Sequence, residues 1–363
     1  MRVVIAADRT FASRERSMLS RLQVGLADEG VRVVQALPQG VEIEQSSVLL
    51  DSVHYEQVGL PLSRRWRATR AARVITAVDP VAPPEIVHVF GGSIWPFGAA
   101  LARELGAALV LEAWRARLLP QVQHVREGSD AAVPTFVVAP DARLAEYLRR
   151  EAPSAVIREA RWGVHAPPEP RRVLEPGAAW SLMVAGAGLD RRAYVAAFEA
   201  IADIVRGRPD VLVFADAVAA RRAELWLLAA KLGIRERLSL VDEMDANREL
   251  VLRGDVLILP EARGEQRTLV LEAMGGGMPV VAAADPLNGT LIDRRSALLV
   301  PAGDRSAWTS ALARVLDDAA AVGAMVASAH AYVRDEHRPS VQVRGVLQAY
   351  EAAVGRSPIP FPS

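Results

Sequence analysis

The chain has 363 residues, 51% of them apolar but only 5% aromatic, and its 43 basic residues balance 43 acidic ones. That length fits two domains with separate cores, and a core of Ala, Val and Leu suits α/β layers better than a β-sandwich. Balanced charge excludes a global field that would draw nucleic acid, the lack of cysteine excludes disulfides, thiol catalysis and Cys-ligated metal, and six scattered histidines have no paired ligand spacing.

Short Val/Ile-rich runs alternate with helical segments along the whole chain. Residues 2–6 read as a buried strand, 11–29 as a helix ending at Gly30, and 31–35 as a second strand. Strands follow at 86–90, 108–113 and 135–138, with helices at 94–105 and 141–151. The pattern pauses at WGVHAPPEPRRVLEPG, where four prolines interrupt any periodic apolar face, and this marks a linker over 164–177. A second series then begins: strands at 181–185, 211–214, 238–241, 256–259, 280–282 and 298–300, with helices at 191–206, 217–232 and 305–317. A last helix, 340–354, is placed to fold back on the first half. Strands separated by helices imply parallel βαβ units. The expected domains are 1–163, 178–337 and a returning tail, 338–363. The opening MRVVIAADR is a strand pattern with no basic leader, and no apolar run approaches membrane-spanning length, so a soluble, cytoplasmic protein is expected.

The segment LVLEAMGGGMPVVA (269–282) joins a Glu-bearing helical stretch to a buried strand through a Gly-rich turn. With GLADEGVRVV (25–34), PEIVHVFGG (84–92), GVHAP (163–167), KLGIRERLSLVDEM (231–244), DVLILPEA (255–262) and ALLVPAGD (297–304) in order, it resembles the retaining GT-B glycosyltransferases of group 1, or family 4. The resemblance implies two Rossmann-like, doubly wound parallel-sheet domains facing a central cleft. It also implies a nucleotide-sugar diphosphate gripped by the second domain and an acceptor bound by the first.

Helix starts favour phosphate through their N–H groups and dipole. The amides of Thr268 and Leu269 are therefore expected to face the diphosphate, with Glu272 accepting from ribose hydroxyls. Gly186, Arg191 and Arg192, after the strand 181–185, complete the expected donor side. The nucleotide-sugar acts as co-substrate, and no metal is invoked, since Arg side chains and a helix start can carry the diphosphate charge.

Departures from the family pattern fall on the chemistry. Family members carry two glutamates eight positions apart; eight before Glu272 stands Gly264, and Glu265 is one place late. Glu265 is the candidate catalytic carboxylate, pointing either to the sugar or to solvent. Arg267 replaces a family glycine and either contacts phosphate or fills the glycine's space. Ala187 stands where an Arg is expected, with Arg192 replacing a lysine and Arg191 beside it. One lost charged hydrogen bond, about 1.5–3 kcal/mol, weakens donor binding by about 10- to 100-fold unless Arg267 compensates. On the acceptor side, Ser13 and Arg14 replace a Gly pair, and Trp114 replaces a histidine. Trp114 can stack on a sugar or plug the site, but it cannot act as a base. Gly289 replaces an acidic residue ahead of a helix expected near Leu291.

Arg64, Arg65, Arg67, Arg70 and Arg73 crowd around Trp66 on a predicted helix. This is read as a solvated face, with peripheral contact to an anionic membrane through Arg64, Arg67 and Arg70 as the alternative. Two functions fit the sequence. One is sugar transfer from a nucleotide-sugar to a glycan, lipid or small-molecule acceptor. The other is a catalytically inactive GT-B protein that binds a nucleotide, a glycan or a partner glycosyltransferase.

Overall fold

The structure, a computed structural model, describes residues 1–41, 51–56, 63–127, 135–170 and 179–356. The chain divides into two compact units, Met1–Gly163 with Pro339–Ser363, and Val164–Arg338. Part of the expected linker, 171–177, lies outside the described residues.

Unit 1 runs β1 (Arg2–Ala7), α1 (Arg9–Arg14), α2 (Arg16–Asp28), β2 (Arg32–Pro38), β3 (Asp51–Tyr55), α3 (Arg64–Val78), β4 (Ile86–Phe90), α4 (Trp95–Leu105), β5 (Ala108–Glu112), α5 (Leu119–Glu127), β6 (Thr135–Ala139), α6 (Ala142–Glu151) and β7 (Val156–Glu159). Its seven strands lie in the order β3-β2-β1-β4-β5-β6-β7, every pair parallel. Central strands such as β1 and β4 are buried along their whole length, the signature of a sheet covered on both faces. The strands β3 and β7, which close the two edges, expose alternate residues and carry no continuous apolar run, so the sequence pattern passes over them.

Unit 2 runs β8 (Trp180–Val184), α7 (Arg191–Gly207), β9 (Val211–Asp216), α8 (Ala217–Arg222), α9 (Leu225–Leu232), β10 (Leu238–Val241), α10 (Arg248–Val251), β11 (Val256–Leu259), α11 (Thr268–Gly275), β12 (Val280–Ala283), β13 (Leu298–Val300), α12 (Arg305–Asp317) and α13 (Ala319–Glu336). Its sheet order is β10-β9-β8-β11-β12-β13, again parallel throughout. Leu182, Ile258 and Val281 from the sheet pack in one core with Phe198 of α7 and Trp308 of α12. Full burial of such side chains contributes about 1.5–3 kcal/mol each. The Trp308 indole N–H is satisfied by the Ala302 carbonyl at 3.1 Å.

The last helix, α14 (Pro339–Ala353), returns to unit 1. Gln342 fixes it there: its Oε1 accepts from the Gly163 N–H at 3.0 Å, and its amide nitrogen lies 3.1 Å from Met18 Sδ. Tyr350 reaches His88 Nδ1 at 2.8 Å, and His88 Nε2 faces Glu112 at 3.2 Å. The other Glu112 oxygen accepts from Trp162 Nε1 at 2.6 Å. This buried polar cluster is mutually satisfied, as burial requires.

Three local expectations are corrected. The helix expected over 11–29 starts earlier, because Asp8 caps it by accepting from the Phe11 N–H at 2.8 Å, and it breaks at Glu15, where neither Gly nor Pro explains the break. The helix expected over 217–232 breaks at Glu224, which adopts a left-handed φ of 56°. No helix forms near Leu291: residues 284–297 are turns and loop, pinned by Ser296 Oγ, which accepts from the Ile292 N–H and donates to the Thr290 carbonyl, both at 2.8 Å.

Candidate functional site

In an open parallel sheet, the strand order reverses between two strands whose following loops diverge to opposite faces, leaving a crevice at their carboxyl ends. In unit 2 those strands are β8 and β11. A cavity with an empty volume of about 460 Å³ opens there, lined by Gly186 after β8, by Glu261, Glu265 and Arg267 between β11 and α11, and by Asp285 after β12. The expected residues Gly186, Glu265 and Arg267 are thus brought together. Thr268, Leu269 and Glu272 do not line this cavity.

Arg267 is committed to the protein. Its side chain is only 8% exposed, and its Nη1 lies 3.1 Å from Asp245 Oδ2 while Nη2 lies 3.2 Å from Glu265 Oε1. Burial opposes its charge, but Asp245 first and Glu265 second outweigh burial and hold it firmly protonated. A guanidinium held between two carboxylates has no net charge left for a phosphate, so Arg267 fills and braces the loop more than it offers a free cation. Glu265 is correspondingly fixed, with its carboxylate turned inward to Arg267 and not out to solvent.

The head of α11 is also interior. Thr268 and Leu269 are fully buried. Arg248 Nη1 donates to Thr268 Oγ1 at 2.6 Å and to Glu272 Oε2 at 2.8 Å, while its Nε donates to the Asp245 carbonyl at 2.8 Å. Glu272, 11% exposed, is therefore an ion-paired residue. It borders a separate depression with Leu252, Asp255 and Gly276.

The loop from β8 to α7 is organised by a residue that the sequence did not single out. Glu261 accepts from four successive backbone N–H groups, those of Ala187, Gly188, Leu189 and Asp190. Gly188 is required in this loop, since its φ is 69° and a Cβ there would lie 2.6 Å from the Ala219 backbone. Arg222 of α8 donates to the Ala187 carbonyl at 2.8 Å, which brings a cation to the loop where position 187 lacks one. Arg191 and Arg192 open α7 and are exposed. Arg191 pairs with Glu224, and Arg192 Nε would lie 3.9 Å from a Cβ on Gly303.

In unit 1 the reversal falls between β1 and β4. Asp8, after β1, accepts from Ser93 Oγ at 2.7 Å and crowds Gly91, whose φ of 92° leaves no room for a side chain. Trp114 is 5% exposed and packed edge-on against Phe11, between the guanidinium groups of Arg14 at 5.3 Å and Arg115 at 4.4 Å. A ring this buried presents no open face for a sugar to stack on. On α3, Arg67 donates to the Glu56 carbonyl at 2.8 Å, and Arg70 lies 5.8 Å from the ring of Trp66, itself 61% exposed. No helix among the described residues is long and apolar enough to cross a membrane.

Glu261, Arg222 and Asp245 escaped sequence reasoning because their partners lie far along the chain: Glu261 reaches 71–74 residues back, Arg222 reaches 35 and Asp245 reaches 22 forward. A signal existed for Glu261 alone, an acid directly following a buried parallel strand at a sheet's carboxyl edge.

Residues 182–318 match the family model described as Glycosyl transferases group 1. No curated protein sequence matches the chain. Among solved structures, sucrose-phosphate synthase from Thermosynechococcus elongatus superposes with a TM-score of 0.73 at 15% identity, covering 98% of this chain and 100% of that one. HepE from Anabaena, solved in complex with UDP-glucose, superposes with a TM-score of 0.73 at 11% identity over 97% of this chain and 100% of that one. WaaG, a glycosyltransferase involved in lipopolysaccharide biosynthesis, gives 0.64 at 15% identity over 97% and 100%. The two doubly wound parallel sheets are those of the GT-B fold.

Proposed function

We propose that this GT-B chain, whose residues 182–318 match the group 1 glycosyltransferases, is a retaining glycosyltransferase that moves a sugar from a nucleotide-sugar donor to a glycan, lipid or small-molecule acceptor. The observation that carries the reading is a coincidence of place. The matched residues are the ones that build the cavity at the β8/β11 reversal, where an α/β sheet offers a ligand its crevice. HepE, of the same fold, was solved with UDP-glucose.

In the proposed reaction the bond between the anomeric carbon and the diphosphate oxygen breaks. A bond from the acceptor oxygen forms on the same face of the sugar, and the acceptor's proton leaves with the departing diphosphate. Such chemistry rests on positioning and on stabilising the leaving charge. In this reading Gly186 gives backbone room beside the diphosphate and Arg192 and Arg222 supply cations at the loop. Glu265, oriented by Arg267, faces the sugar, and Glu272 holds the ribose. The acceptor side is unit 1, with Arg14 beside the Trp114 plug. No metal is assigned a role.

A second reading has its own support: Arg267 is paired with two carboxylates and Trp114 is buried. These favour a catalytically inactive protein that binds a nucleotide, a glycan or a partner glycosyltransferase. Incubation with UDP-, GDP- and ADP-sugars, with and without acceptors, separates the two. Release of nucleoside diphosphate supports the transferase, and saturable binding without hydrolysis or transfer supports the second reading.

A further inference from the structure

The five arginines around Trp66 do not share one environment. Arg65 Nε lies 3.8 Å from Glu104 Oε1 and Arg73 is exposed, whereas Arg67 and Arg70 line a groove between α3 and the edge strand β3. The groove has an empty volume of about 680 Å³, more than the cavity of unit 2, and Gln39, His54, Glu56 and Trp66 line it as well. Gln39 and Glu56 directly follow β2 and β3, so the groove reaches the carboxyl end of the sheet, where α/β folds receive ligands.

Its walls suit a ligand that is apolar on one face and anionic at one end. Trp66 is 61% exposed and offers a flat apolar ring on which the C–H face of a sugar can lie. Arg70, whose guanidinium lies 5.8 Å from that ring, meets no carboxylate among the described residues. Arg67 Nη1 donates to the Glu56 carbonyl at 2.8 Å, which holds the guanidinium at the groove, yet its enclosed Nε has no hydrogen-bond partner among the described residues. Helix α3 carries no acidic residue from Arg64 to Val78, so the excess charge on this wall is positive. Guanidinium forks match phosphate and carboxylate oxygens. Tyr55 gives the groove an apolar wall, since its ring stacks on Phe97 at 4.7 Å and its hydroxyl is spent on the Ala7 carbonyl at 2.7 Å. Gln39, His54 and the Glu56 carboxylate supply the few polar groups that fix the orientation of a ligand rich in hydroxyls.

We propose that the groove between β3 and α3 binds a sugar unit carrying an anionic group, phosphate or carboxylate, with Trp66 against the ring and Arg67 and Arg70 on the anion. The inference rests on reading unit 1 as the acceptor side, and it names the acceptor class as an anionic sugar or glycan. An anionic lipid surface would instead use the exposed arginines of α3 alike, Arg65 and Arg73 included, and would not need the groove.

Calorimetric titration of the full chain with glucose 6-phosphate and with glucuronate, at constant ionic strength and without nucleotide, reads this groove. At least one should bind saturably, and the tighter of the two identifies the anion. Glucose and inorganic phosphate, which each offer half of the contacts, should bind at least about 10-fold more weakly. Trp66→Ala and Arg70→Ala, both at exposed positions, should each weaken binding by about 10-fold or more. Arg73→Ala, one turn further along the same helix but outside the groove, should change it by less than about 3-fold. Lack of saturable binding by both sugars overturns the proposal, as does inorganic phosphate binding as tightly as glucose 6-phosphate, or a loss in Arg73→Ala equal to that in Arg70→Ala. Binding to phosphatidylglycerol vesicles that Arg65, Arg70 and Arg73 substitutions weaken equally, while neither sugar binds, assigns the helix to a membrane surface and overturns it too. With no nucleotide in the titration, its failure leaves donor binding by unit 2 untouched, and failure of every nucleotide-sugar to bind counts against the transferase reading alone.

Discussion

Arg248 Nη1 lies 2.8 Å from Glu272 Oε2, and the same nitrogen donates to Thr268 Oγ1, so one guanidinium clamps the first turns of α11. The residue that the resemblance assigns to ribose therefore has a structural partner as well. Replacing Glu272 with Ala strands a largely buried cation and should cost about 1–3 kcal/mol of stability, read from urea denaturation. The Gln variant, which can still accept from Arg248, should cost less. On the proposed function, Glu272→Ala also weakens nucleotide binding by about 10-fold or more, measured by calorimetry on folded protein. Unchanged affinity would remove Glu272 from the donor site.

Arg267 should matter more to folding than to ligand charge. Arg267→Met leaves Asp245 and Glu265 facing each other in the interior without their shared cation. Breaking a buried pair from one side costs about 3–5 kcal/mol. Adding Asp245→Asn should recover part of that loss, because the two sites are in contact. Denaturation of the two single variants and the double variant checks this, and strict additivity would contradict the pairing.

Trp114→Ala removes a buried ring from between Arg14 and Arg115 and should destabilise by about 3–5 kcal/mol. The loss should appear in thermal and chemical unfolding even with no acceptor present. A variant as stable as the unmodified chain would show that the ring is not part of the packing.

Glu265→Gln keeps the side chain's shape but removes the charge beside Arg267. On the transferase reading the rate of sugar transfer should fall by about 10- to 1,000-fold while donor affinity changes little. A normal rate would exclude Glu265 from the chemistry.

Alkaline pH should unfold the chain through three tyrosines. Burial first, and then the charges of Asp8, Glu261 and Glu112 respectively, push Tyr55, Tyr194 and Tyr350 well above their ordinary range. From about pH 10 upward the unfolded chain releases phenolic protons that the folded chain keeps, so stability falls as pH rises, by up to about 1.4 kcal/mol per pH unit for each tyrosine. Below that pH these groups contribute no slope. Phenolate absorbance and circular dichroism recorded together should show these tyrosines ionising only as the fold is lost.

Much of the fold was legible because parallel strands buried on both faces are written as continuous Val/Ile/Leu runs, as in β1, β4 and β11. The edge strands β3 and β7 were not, since half of each faces outward. Of the candidate site, position along the chain was legible where a motif marks it: Gly186, Glu265 and Arg267 line one cavity. What those groups contact was not legible. The hold of Asp245 on Arg267, of Arg248 on Glu272 and of Glu261 on the Ala187–Asp190 amides is set by the sheet bringing distant loops together. Thr268 and Leu269 occupy the helix start that their sequence announces, but that start is buried.

On the proposed function, unit 2 binds a nucleotide-sugar at the β8/β11 crevice. Calorimetric titration of the full chain with UDP-, GDP- and ADP-sugars tests it most directly. At least one should bind saturably at one site per chain. Absence of binding by every nucleotide-sugar would contradict the account.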